Sequence, residues 1–350
     1  MTKITGSVAR YEDWLREQLG DELVEADLAR KHDRMRSSAF AFLRATYWRW
    51  SETIGSICPE ALLVPPILSI GDTHLENFGT WRDADGRLVW GANDFDEAAV
   101  MPYVLDLIRL AASAMLASNA GPKGAICDAI WNGYAAGLAA PGPVILERDH
   151  RWLRETILLP EKERAKWWAK LDRSAGPVPL RFQTALAAAM PERDLSITMF
   201  ARSAGTGSLG RPRYVAVAEW LGGPVVREGK AILPAAWATF GPGKSCSIKA
   251  GDIAAGRNRA VDPHYRIVNE LVVRRLSPNS RKIEVEDAGD LLMSQDLLKL
   301  MGREIACCHA GDSALVAAVR DDVKQRDGRC LEKAARAAAD AIMRDYKAYA

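Results

Sequence analysis

From Tyr11 to about Ile57 the apolar residues recur at helical spacing: Trp14, Leu15, Leu19, Leu23 and Val24, then Phe40, Phe42, Leu43, Tyr47 and Trp50. This predicts packed helices. The cluster Tyr47-Trp48-Arg49-Trp50 reads as packing beneath strands more economically than as a platform for a stacked base, and Arg34, Arg36 and Arg44 read as solvated helix-face arginines. Pro59 to Pro66 breaks the helical pattern. Two short β-prone runs follow, one ending at Ile70 and one spanning Leu88, Val89 and Trp90, each closed by Gly, Asp or Asn. Leu107, Ile108, Leu110, Ala111, Ala114 and Met115 then form an apolar helix with Asp106 near its start, where the helix dipole favours an acid. Gly121-Pro122 stops that helix, and another runs from about Lys123 to Ala139. Past the turn at Pro141-Gly142-Pro143 the chain is helical and charged through Arg173, and Glu161 to Lys170 reads as a solvated face.

Ser174 to Pro179, rich in Gly and Pro, is the best linker in the chain, and a helix over about Leu180 to Met190 follows it. The pattern then turns β-like at Ile197, Met199 and Ala201, again at Tyr214 to Ala218, and again at Pro224 to Glu228. Ser277 to Val285 reads as a turn and a strand leading to a hinge near Asp287-Ala288-Gly289-Asp290. Two final helical stripes, Leu297, Leu298, Met301, Ile305 and then Leu331, Ala334, Ala338, Ile342, Tyr346, are separated by a break at Gly328. At 350 residues the chain exceeds what one core fills. An α+β, two-lobed arrangement is predicted: residues 1–195 as a large helical lobe, 196–288 as a small, mostly β lobe, and 289–350 as helices returning to the large one.

Bulk properties narrow the function mainly by exclusion. A net charge of +2 without a dense basic block gives no reason to invoke nucleic acid. Six cysteines without a C-x-x-C pair argue for reduced thiols, not a disulfide frame or a zinc site. The first twenty residues carry Arg10, Asp13, Arg16 and Glu17 and lack the apolar core of a signal peptide. No run approaches the length of a membrane span. A cytoplasmic protein without membrane partners is expected, and the oligomeric state is left open.

The chemistry-bearing stretch is Gly71-Asp72-Thr73-His74-Leu75-Glu76-Asn77, followed by Asn93-Asp94-Phe95-Asp96. Asp72, Asn77, Asp94 and Asp96 are hard oxygen donors at the ends of two strands, suited to Mg²⁺ with a phosphate completing its shell. In kinase-type phosphoryl transfer an Asp takes the acceptor proton, and an Asn five residues later and an Asp on the next strand hold the metal. The first segment resembles the catalytic loop of aminoglycoside-phosphotransferase-type kinases, the second their metal-binding segment, and Asp106-Leu107 the short element after it. With Met35 to Arg44 ahead of them and Gly302 to Asp312 behind, these segments resemble the uncharacterised bacterial family called domain of unknown function 2252, over roughly the thirties to the three-forties. That resemblance implies a kinase-like fold and leaves the substrate unnamed. It also implies that Asp106 supports the catalytic loop.

Ala204-Gly205-Thr206-Gly207-Ser208-Leu209-Gly210 stands between two β-like runs, the context of a kinase phosphate-covering hairpin and not of a dinucleotide fold. Gly205, Gly207, Ser208 and Gly210 would lie against ATP phosphates, with Lys230 on the third strand holding the α- and β-phosphates and Glu270, on a helix, orienting Lys230. Arg227 and Lys244 are alternatives to Lys230. Asn77 and Asp94 would hold Mg²⁺, with Asp96 behind them or on a second ion. Asp72 would deprotonate an acceptor hydroxyl, and His74 would fix the loop by donating to Asp72 or to backbone. His309-Ala310-Gly311-Asp312 lacks an Asn five residues on and reads as a structural brace. In ordinary kinases the glycine loop comes first; here it follows the catalytic loop, so a circular permutation of the kinase-like fold is expected. The acceptor is expected to be a small molecule. A regulatory pseudokinase, a nucleotidyl transferase using the same residues, and a metal-dependent hydrolase built on Asp72, His74, Asp94 and Asp96 are the alternatives.

Overall fold

The computed structural model describes residues 2–117, 121–171, 173–203, 205–311 and 313–350. It is a mixed α and β structure. The predicted N-terminal helices form as Ile4–Leu19, Glu25–Ser37, Ala39–Ala45 and Tyr47–Ile57. Strand β1 (Pro66–Ser69) pairs antiparallel with β4 (Ala99–Pro102). The hairpin of β2 (Phe78–Arg82) and β3 (Leu88–Ala92) carries β5 (Val144–Ile145) on its free edge.

The third sheet has the order β6-β7-β8-β10-β9, built from Thr198–Ala201, Arg213–Trp220, Gly223–Ala231, Leu271–Arg275 and Arg266–Val268, all antiparallel. Its hairpins turn on two-residue connections, Leu221-Gly222 and Asn269-Glu270, with positive φ at both positions, the backbone twist that suits neighbouring strands. Glu270 is therefore not on a helix. Asn269 tolerates the left-handed conformation, and Ile267, Val268, Val272 and Val273 on either side favour strands. The expected hinge at residues 287–290 falls instead in the helix Val285–Leu292, kinked where Ala288 leaves helical backbone angles, with Val285, Ala288 and Leu291 packed inward.

The helices Val104–Leu116, Lys123–Ala139, Gln295–His309 and Gly328–Tyr349 pack beside the smaller sheets, and one apolar core runs through them and into the five-stranded sheet. Gly328, expected as a break, starts the last helix, because the Asp327 side chain caps it by accepting from the Arg329 and Cys330 amides at 3.1 Å. Among the described residues no helix is long and apolar enough to cross a membrane.

Lys123–Ala139 and Gln295–His309 cross at contact distance. A Cβ on Gly302 would overlap the Ile130 carbonyl oxygen, and one on Gly133 would overlap that of Lys299. Gly302→Ala should therefore lower unfolding stability by about 1–3 kcal/mol in a urea titration. An unchanged midpoint would mean that the crossing is looser than described.

Candidate active site

The first acidic turn is held from below by the helix Val104–Leu116. Asp106 is fully buried, and its carboxylate accepts from the Ile70 and Gly71 amides at 2.8 and 2.9 Å. His309 Nε2 reaches the same carboxylate at 3.0 Å, while its Nδ1 lies 2.9 Å from the Tyr134 hydroxyl. Asp106 and His309 thus brace the loop, the support role read from the sequence for both; Asp312 lies outside the described residues. Gly71 adopts φ +94°, and a Cβ there would strike the Glu97 carbonyl, so only glycine lets the two acidic segments approach.

One turn along the same helix stands Arg109, fully buried. Its Nε and Nη2 donate to Asp72 Oδ1 at 2.8 and 2.6 Å, and Nη2 also donates to the Leu43 carbonyl. Tyr47 and Trp50 face its guanidinium at 4.9 and 5.2 Å. The aromatic cluster thus packs as expected, and what it packs on is the cation that orients Asp72. Burial pushes the Asp72 carboxyl above its usual range, with Arg109 pulling the other way. Asp72 Oδ2 has no guanidinium on it and faces the glycine loop.

His74 accepts from the Glu76 amide through Nδ1 at 3.2 Å. It does not donate through that nitrogen, which corrects the expected direction and leaves the proton on Nε2. Burial, reinforced by Arg44 and Lys282, holds its pKa well below the ordinary imidazole value, so it is neutral. Asn77 donates through Nδ2 to the Asp72 and Asp94 carbonyls at 3.1 and 3.4 Å, which leaves Oδ1 as the atom that could face a cation. Asp94 lies between two lysines: Lys230 Nζ is 3.6 Å from Oδ1 and Lys282 Nζ is 3.6 Å from Oδ2. Burial opposes its charge, yet the lysines hold its carboxyl well below the usual range. Asp96 pairs with Lys230 and, at 3.7 Å, with Arg211, which also bonds Glu97 at 2.9 Å.

The glycine loop joins this site. Asp72, His74, Asn77, Asp94 and Asp96 line one cavity of about 430 Å³ together with Gly205, Gly207 and Ser208. At Gly207 a Cβ would come within 3.1 Å of the Arg44 carbonyl and 3.6 Å of Asp72 Oδ2, so the loop lies directly over Asp72. Gly210 lies off the cavity, its carbonyl accepting from the Val24 amide at 3.0 Å, and Ala204 lies outside the described residues. Lys230 sits on β8 as expected, but its partners are Asp96 and Asp94. Glu270, exposed in its hairpin turn, does not join it.

Several lining residues were not singled out from the sequence. Arg44 pairs with Glu76 at 2.5 Å instead of facing solvent, and Glu163, Lys166, Trp167 and Lys170, on a face that is solvated as expected, also border the cavity. So do Arg202, Arg213, Arg274 and Lys282. The readable signal for Arg109 was a lone arginine inside an apolar helix, since such a charge needs a buried partner.

Among the described residues no three His, Cys, Asp or Glu side chains gather to hold a metal ion by themselves. The Asp94 carboxylate, whose two oxygens each lie 3.6 Å from a lysine, and the Asn77 amide oxygen fit an ion whose remaining ligands are phosphate oxygens and water. They do not fit the all-protein metal cage that a hydrolase would use.

The neutral state of His74 has a checkable consequence. Below the usual imidazole pKa the unfolded chain takes up a proton that folded His74 refuses, so stability contributed here is lost as pH falls below about 6.5. His74→Gln should flatten the acid side of a Tm-against-pH curve. NMR should show the wild-type ring as the Nε2–H tautomer, not titrating between pH 8 and 6; titration near its ordinary value would contradict the geometry.

Comparison with known proteins gives one match: residues 23–137 match the model of a family described as an uncharacterized protein conserved in bacteria (DUF2252). No curated protein and no solved structure matches the chain. The matched stretch takes in both acidic turns, Asp106 and Arg109, and stops short of the glycine loop and of Gly302 to Gly311. In its first half, then, this chain is similar to that bacterial family, and the similarity falls on the segment that builds the acidic side of the cavity.

Proposed function

We propose that the protein is an ATP- and Mg²⁺-dependent phosphotransferase acting on a hydroxyl of a small-molecule acceptor. The observation that carries this is the meeting of Asp72, Asn77 and Asp94 with a glycine loop across one cavity. We read the architecture as a circularly permuted kinase-like fold. In its support, the glycine hairpin and the Lys230 strand follow the catalytic turn in the chain, and the final helix packs back on the first helices. There the Tyr349 hydroxyl meets His32 Nδ1 at 2.7 Å and the Tyr346 hydroxyl donates to the Arg36 carbonyl at 3.2 Å.

Asp72 orients and deprotonates the acceptor hydroxyl through Oδ2. Its raised pKa favours proton uptake, and Arg109 fixes its rotamer through Oδ1. When bound, Mg²⁺ on Asn77 and Asp94 supplies charge neutralisation for the phosphates. His74, neutral and tied to the Glu76 amide, keeps the loop in register and takes no proton. The glycine loop excludes water above the reacting oxygen. Most of the rate enhancement then comes from positioning and fixed charge. Trp167, Lys166 and Leu159 on the outer wall are suited to an amphipathic acceptor.

A nucleotide-binding protein without turnover is the second reading, favoured by one observation: Lys230 is held by Asp94 and Asp96, and among the described residues no helix glutamate pairs with it. Nucleotidyl transfer uses the same residues and differs only in product.

Because too few protein ligands gather to hold the ion alone, Mg²⁺ by itself should leave Tm unchanged and Mg-ATP should raise it by several degrees. In a metabolite-panel product assay Asp72→Asn should lower turnover by about 10³-fold or more with Mg-ATP binding retained, and Asp94→Asn should lose both. Wild-type-like turnover in both variants contradicts the proposal. Thermal protection by Mg-ATP without any transferred product supports the second reading.

A further inference from the structure

Glu228, on β8, is fully buried, and its single carboxylate accepts from three arginines that all line the cavity. Arg202 donates to Oε1 through Nη1. Arg213 Nη1 donates to Oε2 at 3.0 Å, and Arg274 places Nε and Nη2 on the same oxygen at 2.8 and 2.7 Å. The strand register dictates this gathering. Residue 228 pairs across the ladder with Arg274 on β10 and Val215 on β7, and Arg213 pairs with Lys230, two residues along on the same face. Burial opposes the charge on Glu228, but the three guanidiniums hold it well below the usual carboxylate range.

Several other cations of the cavity are matched by carboxylates, while Lys282 shares Asp94 with Lys230. Arg109 has Asp72, Arg44 has Glu76, Arg211 has Glu97 and Asp96, and Lys230 has Asp96 and Asp94. Arg202, Arg213 and Arg274 share one carboxylate, although the Arg213 side chain is only 6% exposed. Low-dielectric surroundings make such an excess costly unless an anion completes it. Guanidinium forks match phosphate oxygens in pairs, more closely than an ammonium does. Arg213 Nη2 also donates to Ser208 Oγ at 2.8 Å, which ties the cluster to the glycine loop, and Lys282 lines the cavity beside it.

We propose that Arg202, Arg213 and Arg274, arranged by Glu228, form the receptor for a polyphosphate chain, and that Lys230 instead tethers Asp94 and Asp96. The phosphotransferase reading is used only to expect that the chain is the tail of a nucleoside triphosphate. An inorganic polyphosphate has the same recognisable chemistry. Linked phosphates are favoured over a single charge, because three guanidiniums on the one Glu228 carboxylate leave two positive charges to be matched.

Isothermal titration calorimetry of the full chain in EDTA tests this with inorganic tripolyphosphate, ATP and adenosine. Tripolyphosphate should bind without metal and weaken steeply with salt. ATP should compete with it, and adenosine should not. Arg202 is the least buried of the three, so Arg202→Gln leaves Glu228 two partners; it should weaken tripolyphosphate binding about tenfold or more. Arg274→Lys keeps the charge and loses the fork, and should weaken binding while Tm stays close to wild type. Absence of tripolyphosphate binding to the wild-type protein overturns the proposal, as does wild-type affinity in both variants. Binding of tripolyphosphate that ATP does not compete away keeps the receptor and makes the inorganic chain its source. Unchanged affinity in both variants, with transfer still abolished by Asp72→Asn, removes the receptor and leaves the phosphotransferase. Weakened affinity without any transfer from ATP does the reverse.

Discussion

The buried carboxylate of Asp106 is the constraint on which the site depends. It takes two successive amides of the turn at Ile70-Gly71, and His309 closes it from the far side. Left unpaired, those buried amides would each cost on the order of 1–3 kcal/mol. The same helix carries Arg109 three residues on, where it meets Asp72. One rigid element therefore fixes both the backbone of the acidic turn and the rotamer of its central carboxylate. Because the helix is apolar on all other sides and packs against the C-terminal helix, the turn inherits the stability of the core.

Above this base the cavity is built as alternating layers of charge. Asp72 rests on Arg109, Asp94 lies between Lys230 and Lys282, Asp96 and Glu97 take Arg211, and Glu228 collects its three arginines. Most of these groups are out of water, where pairing is worth more and omission costs more. The pattern leaves the acidic side able to bind a cation only with outside help, and the β-sheet side in excess of positive charge. A ligand carrying both a divalent cation and linked phosphates matches both deficits.

Much of this was legible in the chain. The helical stripes, the glycine loop between strands and the two acidic turns are local patterns, and Asp106 was legible as an acid in the first turn of an apolar helix, with its support of the loop implied by the resemblance. Other features were not, for physical reasons. Glu270 sits in a hairpin whose signals, the turn-prone Asn269 and the β-branched residues on either side, were read as a helix. Arg202, Arg213 and Arg274 come from three strands, so only sheet register reveals that they share Glu228. Segment 161–170 is the solvated face it reads as, with Glu163, Lys166 and Lys170 exposed; only the tertiary packing shows that it also borders the cavity. Arg44 was misread as solvated because its buried partner, Glu76, comes from a different segment of the chain.

A crystal structure of the protein with Mn²⁺ and a non-hydrolysable ATP analogue tests the central claim most directly. Anomalous signal from the metal between Asn77 and Asp94, with the phosphates between that ion and the loop Gly205–Gly210, is the outcome these residues require. Nucleotide bound away from this cavity, or a metal held without phosphate elsewhere on the chain, would contradict it.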